Sequence, residues 1–240
     1  MAIVEHKFTI GLRDVGFSNK LTNKAMLGFF EDIGGLHSDM VGYGLANIEN
    51  TNLSWVLLNW KLKVIKRPKY AENVTVKTWS RNPQKFYSYR DFEMYDNDGN
   101  ILAIASSKWS LIDLNKGLIK LTDEIIAKYE SENLSVFDEL DLPKMTPPVI
   151  FSNTYLYTVP RCVIDINEHM HNLCYLDVAY ETLPYDIYKN THFNNVEIMY
   201  KRSARLGDTL KCFYSNIGNE YFVTIKSFDE KNLHCIIKLS

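Results

Sequence analysis

The chain has no apolar run near the roughly 18 residues a membrane-spanning helix needs, so a helical membrane protein is not expected. Its first residues, Met1-Ala2-Ile3-Val4-Glu5-His6-Lys7, lack the apolar core of a secretory signal. Charge of either sign is not in excess: 27 Lys and Arg against 29 Asp and Glu leave a net charge of −2. That balance gives no global pull toward nucleic acid. The four cysteines, Cys162, Cys174, Cys212 and Cys235, show no CxxC spacing and lie within strand-like or helix-like text. Free thiols in a reducing cytoplasm are therefore expected, not a disulfide framework. Apart from His169-x-His171 the histidines (His6, His37, His192, His234) are scattered, so no metal and no cofactor are expected. What is present is ordinary: 240 residues, 46% hydrophobic and 23% charged, enough for one large domain or two small ones.

Read in order, Phe8–Leu12 alternates weakly as a short strand. Thr22 can cap a helix whose apolar face is Met26, Phe29 or Phe30, Ile33, His37 and Met40, ending near Gly42 and Gly44. Strands follow over Leu53–Val64, Val74–Thr78, Lys85–Tyr95 and Ile101–Leu114. Asp96-Asn97-Asp98-Gly99 marks a hairpin between the last two. After a short helix at Asp123–Tyr129, residues 131–150 turn acidic and proline-bearing and read as a surface linker. The order then starts again: strand Asn153–Val159, a polar lead-in, helix Asn172–Thr182, and strands Asn195–Ser203, Thr209–Asn216, Tyr221–Phe228 and Leu233–Leu239.

This is an internal duplication of one helix-plus-antiparallel-sheet unit. The expected class is α+β, with each sheet wrapped around its helix and the two sheets joined edge to edge into one. Residues 1–130 form the first repeat, 131–150 the linker and 151–240 the second repeat.

The stretch Asp165-Ile-Asn167-Glu-His169-Met-His171-Asn172 places an acid, a carboxamide and an imidazole at alternating positions. If extended, it projects Asp165, Asn167 and His169 from one face. The first N–H groups of the helix behind it, at Asn172 and Leu173, could receive a developing oxyanion. Setting Asp14 against Asp165 puts Gly16 opposite Asn167 and Ser18 opposite His169. Only the second copy then carries the reactive set. Taken alone, the same residues could simply make turns and cap a helix.

The run Asp165-x-Asn167-x-His169-x-x-Asn172-x-x-Tyr175, followed by Tyr200-Lys-Arg-Ser-Ala-x-x-Gly207-Asp208, resembles the acyl-acyl carrier protein thioesterase family, over essentially the whole chain. The resemblance implies a tandem (double) hotdog fold of the bacterial type. It implies hydrolysis of fatty acyl-acyl carrier protein thioesters in fatty acid biosynthesis, with Asp165, Asn167 and His169 as the catalytic centre. The family's water-activating glutamate corresponds to Ser203, and the cysteine once invoked in plant members to Ala204. His169 is then the natural base, since an imidazole titrates near the working pH.

Under this reading Met26, Phe29, Phe30 and Ile33, with Trp55, could line an acyl chain, and ordinary core is the bland alternative. Lys66, Arg67 and Lys69, with Arg202 and Arg205, could dock an acidic carrier protein that presents its phosphopantetheine arm; a solvated face is the alternative. The chain would be a monomeric pseudo-dimer or a homodimer. Two other functions stay open. A hotdog enoyl-thioester hydratase resembles Asp-x-Asn with the histidine five residues on, against four here. A non-catalytic acyl-thioester-binding protein would account for Ser203.

Overall fold

The computed structural model describes residues 2–139, 141–142 and 144–240 and divides into two compact units, Met1–Leu142 and Pro143–Ser240. Of the expected linker, Leu140 and Pro143 lie outside the described residues.

The first unit runs β1 (Ile3–Thr9), α1 (Asn23–Met40), a short α2 (Ile48–Thr51), β2 (Leu53–Val64), β3 (Asn73–Gln84), β4 (Tyr87–Tyr95), β5 (Ile101–Asp113), a two-residue β6 (Gly117–Leu118) and α3 (Asp123–Tyr129). Its strands pair antiparallel in the order β1-β3-β4-β5-β2, with β6 on β5. Helix α1 starts where Thr22 Oγ1 accepts the Ala25 N–H at 3.1 Å. It buries Met26, Leu27, Phe30 and Ile33 completely, each contributing about 1.5–3 kcal/mol of transfer free energy. The hairpin at Asp96 forms as its text implies. Asp96 Oδ1 accepts the N–H groups of Asp98 and Asn100, and Gly99 takes the left-handed backbone at φ 82°.

Several boundaries differ from expectation: β3 runs on past Thr78 to Gln84, and two further differences bear on the surface of the first unit. The first strand is Ile3–Thr9, not Phe8–Leu12. As an edge strand it buries only Val4, so its alternation is too weak to read. Of the expected linker 131–150, the described residues 131–139 and 141–142 are bound to the sheet. Glu132 N–H donates to Ser80 O at 2.9 Å, Trp79 Nε1 to Leu134 O at 3.0 Å, and Val136 N–H to Asp91 Oδ2 at 3.0 Å. Tyr89 OH and Lys108 Nζ both reach Asp141, at 2.7 and 2.8 Å. This strap covers the face opposite α1, where Arg81 and Asp91 form a buried ion pair at 3.3 Å.

The second unit runs β7 (Asn153–Thr158), α4 (Cys174–Thr182), a short α5 (Tyr185–Asn190), β8 (Asn195–Tyr200), β9 (Thr209–Ile217), β10 (Glu220–Ser227) and β11 (Leu233–Leu239). Its order is β8-β11-β10-β9-β7, the same path as the first unit once β7 is set against β1 and β8 against β2. Both units are thus α+β, an antiparallel sheet holding one principal helix. The second core buries Tyr175, Leu176, Val178 and Ala179 of α4 together with Val196, Ile198, Val223, Ile225 and Ile237, which share one face of the sheet.

Candidate active site

The stretch that carries the reactive residue types is a tight turn, not the extended lead-in its alternation suggests. Ile164 and Met170 form an antiparallel bridge, Asp165 N–H donates to His169 O at 2.8 Å, and Glu168 N–H donates to Asp165 O at 3.1 Å. Glu168 sits in the left-handed region at φ 60°. The cause is the Asp165 carboxylate, whose Oδ1 accepts the N–H groups of Asn167 at 2.8 Å and His169 at 3.1 Å. An aspartate bonded to backbone two residues on closes a turn in place of a strand. The period-two argument for a shared face therefore lapses. Asn167 and His169 share a single loop closed by Asp165, Asn167 exposed and His169 half-buried.

The same loop occurs in the first unit and corrects the alignment of the copies. There Val15 bridges Leu21, Gly16 N–H donates to Lys20 O at 3.0 Å, Asn19 N–H donates to Gly16 O at 2.9 Å, and Asn19 has φ 56°. Gly16 thus answers Asp165, Ser18 answers Asn167, and Lys20 answers His169, two residues away from the match of Asp14 with Asp165. The chemical conclusion survives the shift, since the first loop still has no carboxamide or imidazole at those places.

Behind the turn the chain enters α4 through a tightened first turn. Cys174 N–H donates to His171 O at 2.9 Å and Leu176 N–H to Leu173 O at 3.2 Å. The Leu173 N–H, expected to face a substrate oxygen, is engaged by His171 Nδ1 at 3.3 Å. Two tyrosines fix the helix to the following strand. Tyr200 OH donates to Asn172 O at 3.0 Å, and Tyr175 OH accepts the Ala204 N–H at 2.9 Å. Ala204 O in turn accepts the Met170 N–H at 2.8 Å, so the segment that follows β8 holds the turn that bears His169. Burial pushes the Tyr175 phenol well above its ordinary value, so it stays a neutral hydroxyl.

Ser203 is exposed beside Ala204. Its counterpart is Arg67, because Ala204 O and Pro68 O accept equivalent N–H groups, from Met170 and Leu21. Arg67 reaches the residues that answer Met170 and Asn172: it donates to Leu21 O at 3.0 Å and to Asn23 Oδ1 at 2.8 Å. A serine at 203 is far shorter. Glu197 offers no replacement carboxylate, since Lys238 binds it at 2.8 Å.

His234 was not singled out from sequence. It is a lone buried histidine on β11 whose Nδ1–H donates to Arg202 O at 3.0 Å, while its own carbonyl accepts the Lys201 N–H at 2.8 Å. Burial lowers its pKa, so it is neutral at working pH. No spacing in the sequence marks it. Tyr175 and Tyr200 stand within the motif, but their roles appear only in the fold.

The remaining candidates disperse. Met26, Phe30 and Ile33 are fully buried in α1 packing, and Phe29 is half-buried, stacked on Phe8 at 4.6 Å. Trp55 packs against Leu111, Leu121, Ile125 and Tyr129, with its Nε1 donating to Tyr129 OH at 2.9 Å. Lys66, Lys69, Arg202 and Arg205 are exposed, whereas Arg67 is half-buried. The cysteines are free. Cys212 is pushed up to about 12 by burial, and burial likewise raises Cys235 well above its ordinary value. An open hollow of about 590 Å³ runs along Thr9–Asp14 with Tyr70 and Ala71; it belongs to the first unit's loop and holds none of the reactive set. No helix among the described residues is long and apolar enough to cross a membrane.

Two repeats of a helix held by an antiparallel sheet, with a histidine-bearing turn closed against the helix start in one copy alone, define a tandem hotdog protein with one candidate centre per chain. The acyl-ACP thioesterase N-terminal domain matches residues 2–129 and its C-terminal domain residues 151–237, so the chain belongs to the acyl-ACP thioesterase family. An acyl-ACP thioesterase from Bacteroides thetaiotaomicron superposes with TM-score 0.86 at 25% identity, covering 99% of this chain and 96% of that one. The 12:0-ACP thioesterase of Umbellularia californica gives TM-score 0.86 at 20% identity, with 99% and 96% covered, a likeness of fold. The chloroplastic oleoyl-acyl carrier protein thioesterase 1 of Arabidopsis thaliana is 22% identical over 224 residues, covering 86% of this chain and 62% of its own length. The chain thus spans about 60% of the length of the plant oleoyl-ACP thioesterases it matches.

Proposed function

We propose that this chain hydrolyses fatty acyl-acyl carrier protein thioesters to a free fatty acid and the carrier thiol. The observation that carries the reading is the turn Asp165–His169, found in the second unit of a chain that belongs to a thioesterase family and lacking its polar set in the first. His169 takes a proton from water as the water oxygen attacks the thioester carbonyl. The tetrahedral oxyanion then collapses, the C–S bond breaks, and the thiolate leaves and takes up the proton. Asn167 holds the carbonyl or the water through its amide. Asp165 spends one carboxylate oxygen on the turn, so its part is to aim the other two residues. Ser203 can hold a water but cannot remove its proton at neutral pH.

The exposed Lys66, Lys69, Arg202 and Arg205 are the residues proposed to steer an acidic carrier protein. The Bacteroides and Arabidopsis proteins, named for acyl-ACP and oleoyl-ACP thioesterase activity, support the same substrate class.

The test is release of free thiol from purified protein mixed with acyl-carrier and acyl-coenzyme A thioesters. Hydrolysis that falls about a hundredfold or more in His169→Ala supports the assignment, and wild-type rates in that variant would overturn it. Ser203 favours one second reading, an acyl-thioester-binding protein without turnover. Tight binding with no thiol release would establish that instead.

A further inference from the structure

The face of the first sheet that packs on α1 is not uniformly apolar. Toward the start of the helix it is built from Leu62, Val76, Phe92 and Met94, with Phe92 stacked on Phe30 of α1. Toward the helix end, one row crossing four strands reads Trp60, Ser107, Arg90 and Ser80, residues directly opposite one another on β2, β5, β4 and β3. All four are buried, and Arg90 is only 6% exposed. The Arg90 guanidinium has these partners: one terminal nitrogen donates to His37 Nδ1 at 2.9 Å and to Thr78 Oγ1 at 3.3 Å, and the group lies over the Tyr129 ring at 5.7 Å. No carboxylate pairs with it among the described residues, and burial lowers its pKa to about 10. In the same row the indole N–H of Trp60 is buried and unpartnered.

A buried donor without an acceptor, such as the Trp60 indole N–H, is costly, and so is a buried charge without a counter-charge, as at Arg90. The helix makes room for this one. A Cβ on Gly34 would stand 3.3 Å from Arg90 Cδ, so α1 carries glycine there. That choice sacrifices helix propensity relative to alanine. An apolar strand residue would remove both costs.

We propose that this row is a specificity site, in which Arg90 and Trp60 donate to an oxygen carried on the distal part of a bound acyl chain. The preferred substrates are acyl thioesters bearing a hydroxyl, oxo or carboxylate oxygen far from the thioester, not plain saturated chains. The inference rests on the thioesterase reading, since it names the substrate class for that activity. The guanidinium supplies charge-assisted bonds, while the flanking hydroxyls are spent within the sheet, Ser107 donating to Arg90 O and accepting the Trp109 indole N–H, and Ser80 bonded to Arg81 O and Ser88.

The experiment compares kcat/KM on matched acyl thioesters, plain against ω-hydroxy and ω-carboxy, across a ladder of chain lengths. The wild type, Arg90→Met and Trp60→Phe are measured side by side. A ten- to hundredfold preference, about what one charge-assisted bond provides, is expected for an oxygenated chain of one length. It should collapse in Arg90→Met and shrink in Trp60→Phe. Equal or lower wild-type rates on every oxygenated chain would overturn the proposal, as would a preference untouched by either substitution. Should Arg90→Met fail to fold, Trp60→Phe, which removes only the N–H, carries the same test. Thiol release from no substrate would count against the thioesterase reading alone. The row is then read by thermal-shift binding of ω-hydroxy and ω-carboxy fatty acids against plain ones, and an equal shift from all three would overturn it.

Discussion

At the scale of single residues, the motif shows its chemistry in its letters but hides its geometry. Asp165, Asn167 and His169 are legible as an acid, a carboxamide and a base, yet Asp165 closes a turn instead of extending a strand, because its carboxylate competes for the backbone N–H groups of Asn167 and His169. Ser203 is the position whose change says most. Its counterpart Arg67 spans to Leu21 O and Asn23, so a long side chain at 203 can reach the matching Met170 and Asn172. Ser203→Glu is therefore expected to raise turnover roughly a hundredfold, the low end for an added general base. Ser203→Arg, bridging the helix start as Arg67 does, is expected to abolish it. Steady-state thiol release from both variants checks the pair.

His234 is a second residue-scale case, and one that no pattern announces. Its folded-state pKa lies below the ordinary value of about 6.5. The folded protein thus binds fewer protons than the unfolded chain as pH falls through that window. The stability this neutral ring contributes is complete above about 6.5 and is lost progressively as pH drops toward the lower folded value. Melting temperatures of wild type and His234→Gln, followed from neutral to mildly acidic pH, should converge as pH falls. A constant gap would show that the ring does not titrate between the two states.

Among the elements, α1 could be read from its cap and apolar stripe, because both signals lie within a few residues of one another. The strap at residues 131–139 and 141–142 could not. Its partners Ser80, Trp79, Asp91, Tyr89 and Lys108 are distant in sequence, and its acidic, loop-like composition is the same whether it is bound or free. Bound, it seals the Arg81–Asp91 pair, and Asp91 accepts the strap's Val136 N–H. Asp91→Ala strands a buried guanidinium and releases the strap, so it is expected to cost about 3–5 kcal/mol in urea unfolding.

Acid should loosen the strap separately. Burial disfavours ionising Asp141, but hydrogen bonds from Lys108 and Tyr89 outweigh it and hold its pKa below the ordinary value. That anchor is complete above about pH 3.9 and is lost as pH falls through the lower folded value. Faster amide exchange at Val136 in acid would report it, and Asp141→Asn should remove the pH dependence.

Across the whole molecule, the duplication was visible in the order of its elements, and its register was misread because one carboxylate was matched to another. Hydrogen bonds give the true match, and they carry it into the surface charges. Lys69 N–H bonds the Glu72 carboxylate beside left-handed Ala71, just as Arg205 N–H bonds the Asp208 carboxylate beside left-handed Gly207. Lys69 therefore answers Arg205, and Lys66 answers Arg202, so exposed cations recur at the same turn in both copies. Arg67 stands apart, since its guanidinium is spent inside the first unit. The two neighbours should then separate docking from folding. Lys66→Glu is expected to lower kcat/KM several-fold on a carrier-bound thioester, more so at low salt, and to spare the coenzyme A thioester. Arg67→Glu is expected to lower both rates together and to lower the melting temperature. It places a carboxylate against Leu21 O and Asn23 Oδ1, where only a donor fits. Equal losses on both substrates from Lys66→Glu, at unchanged stability, would remove the carrier from the account of that surface.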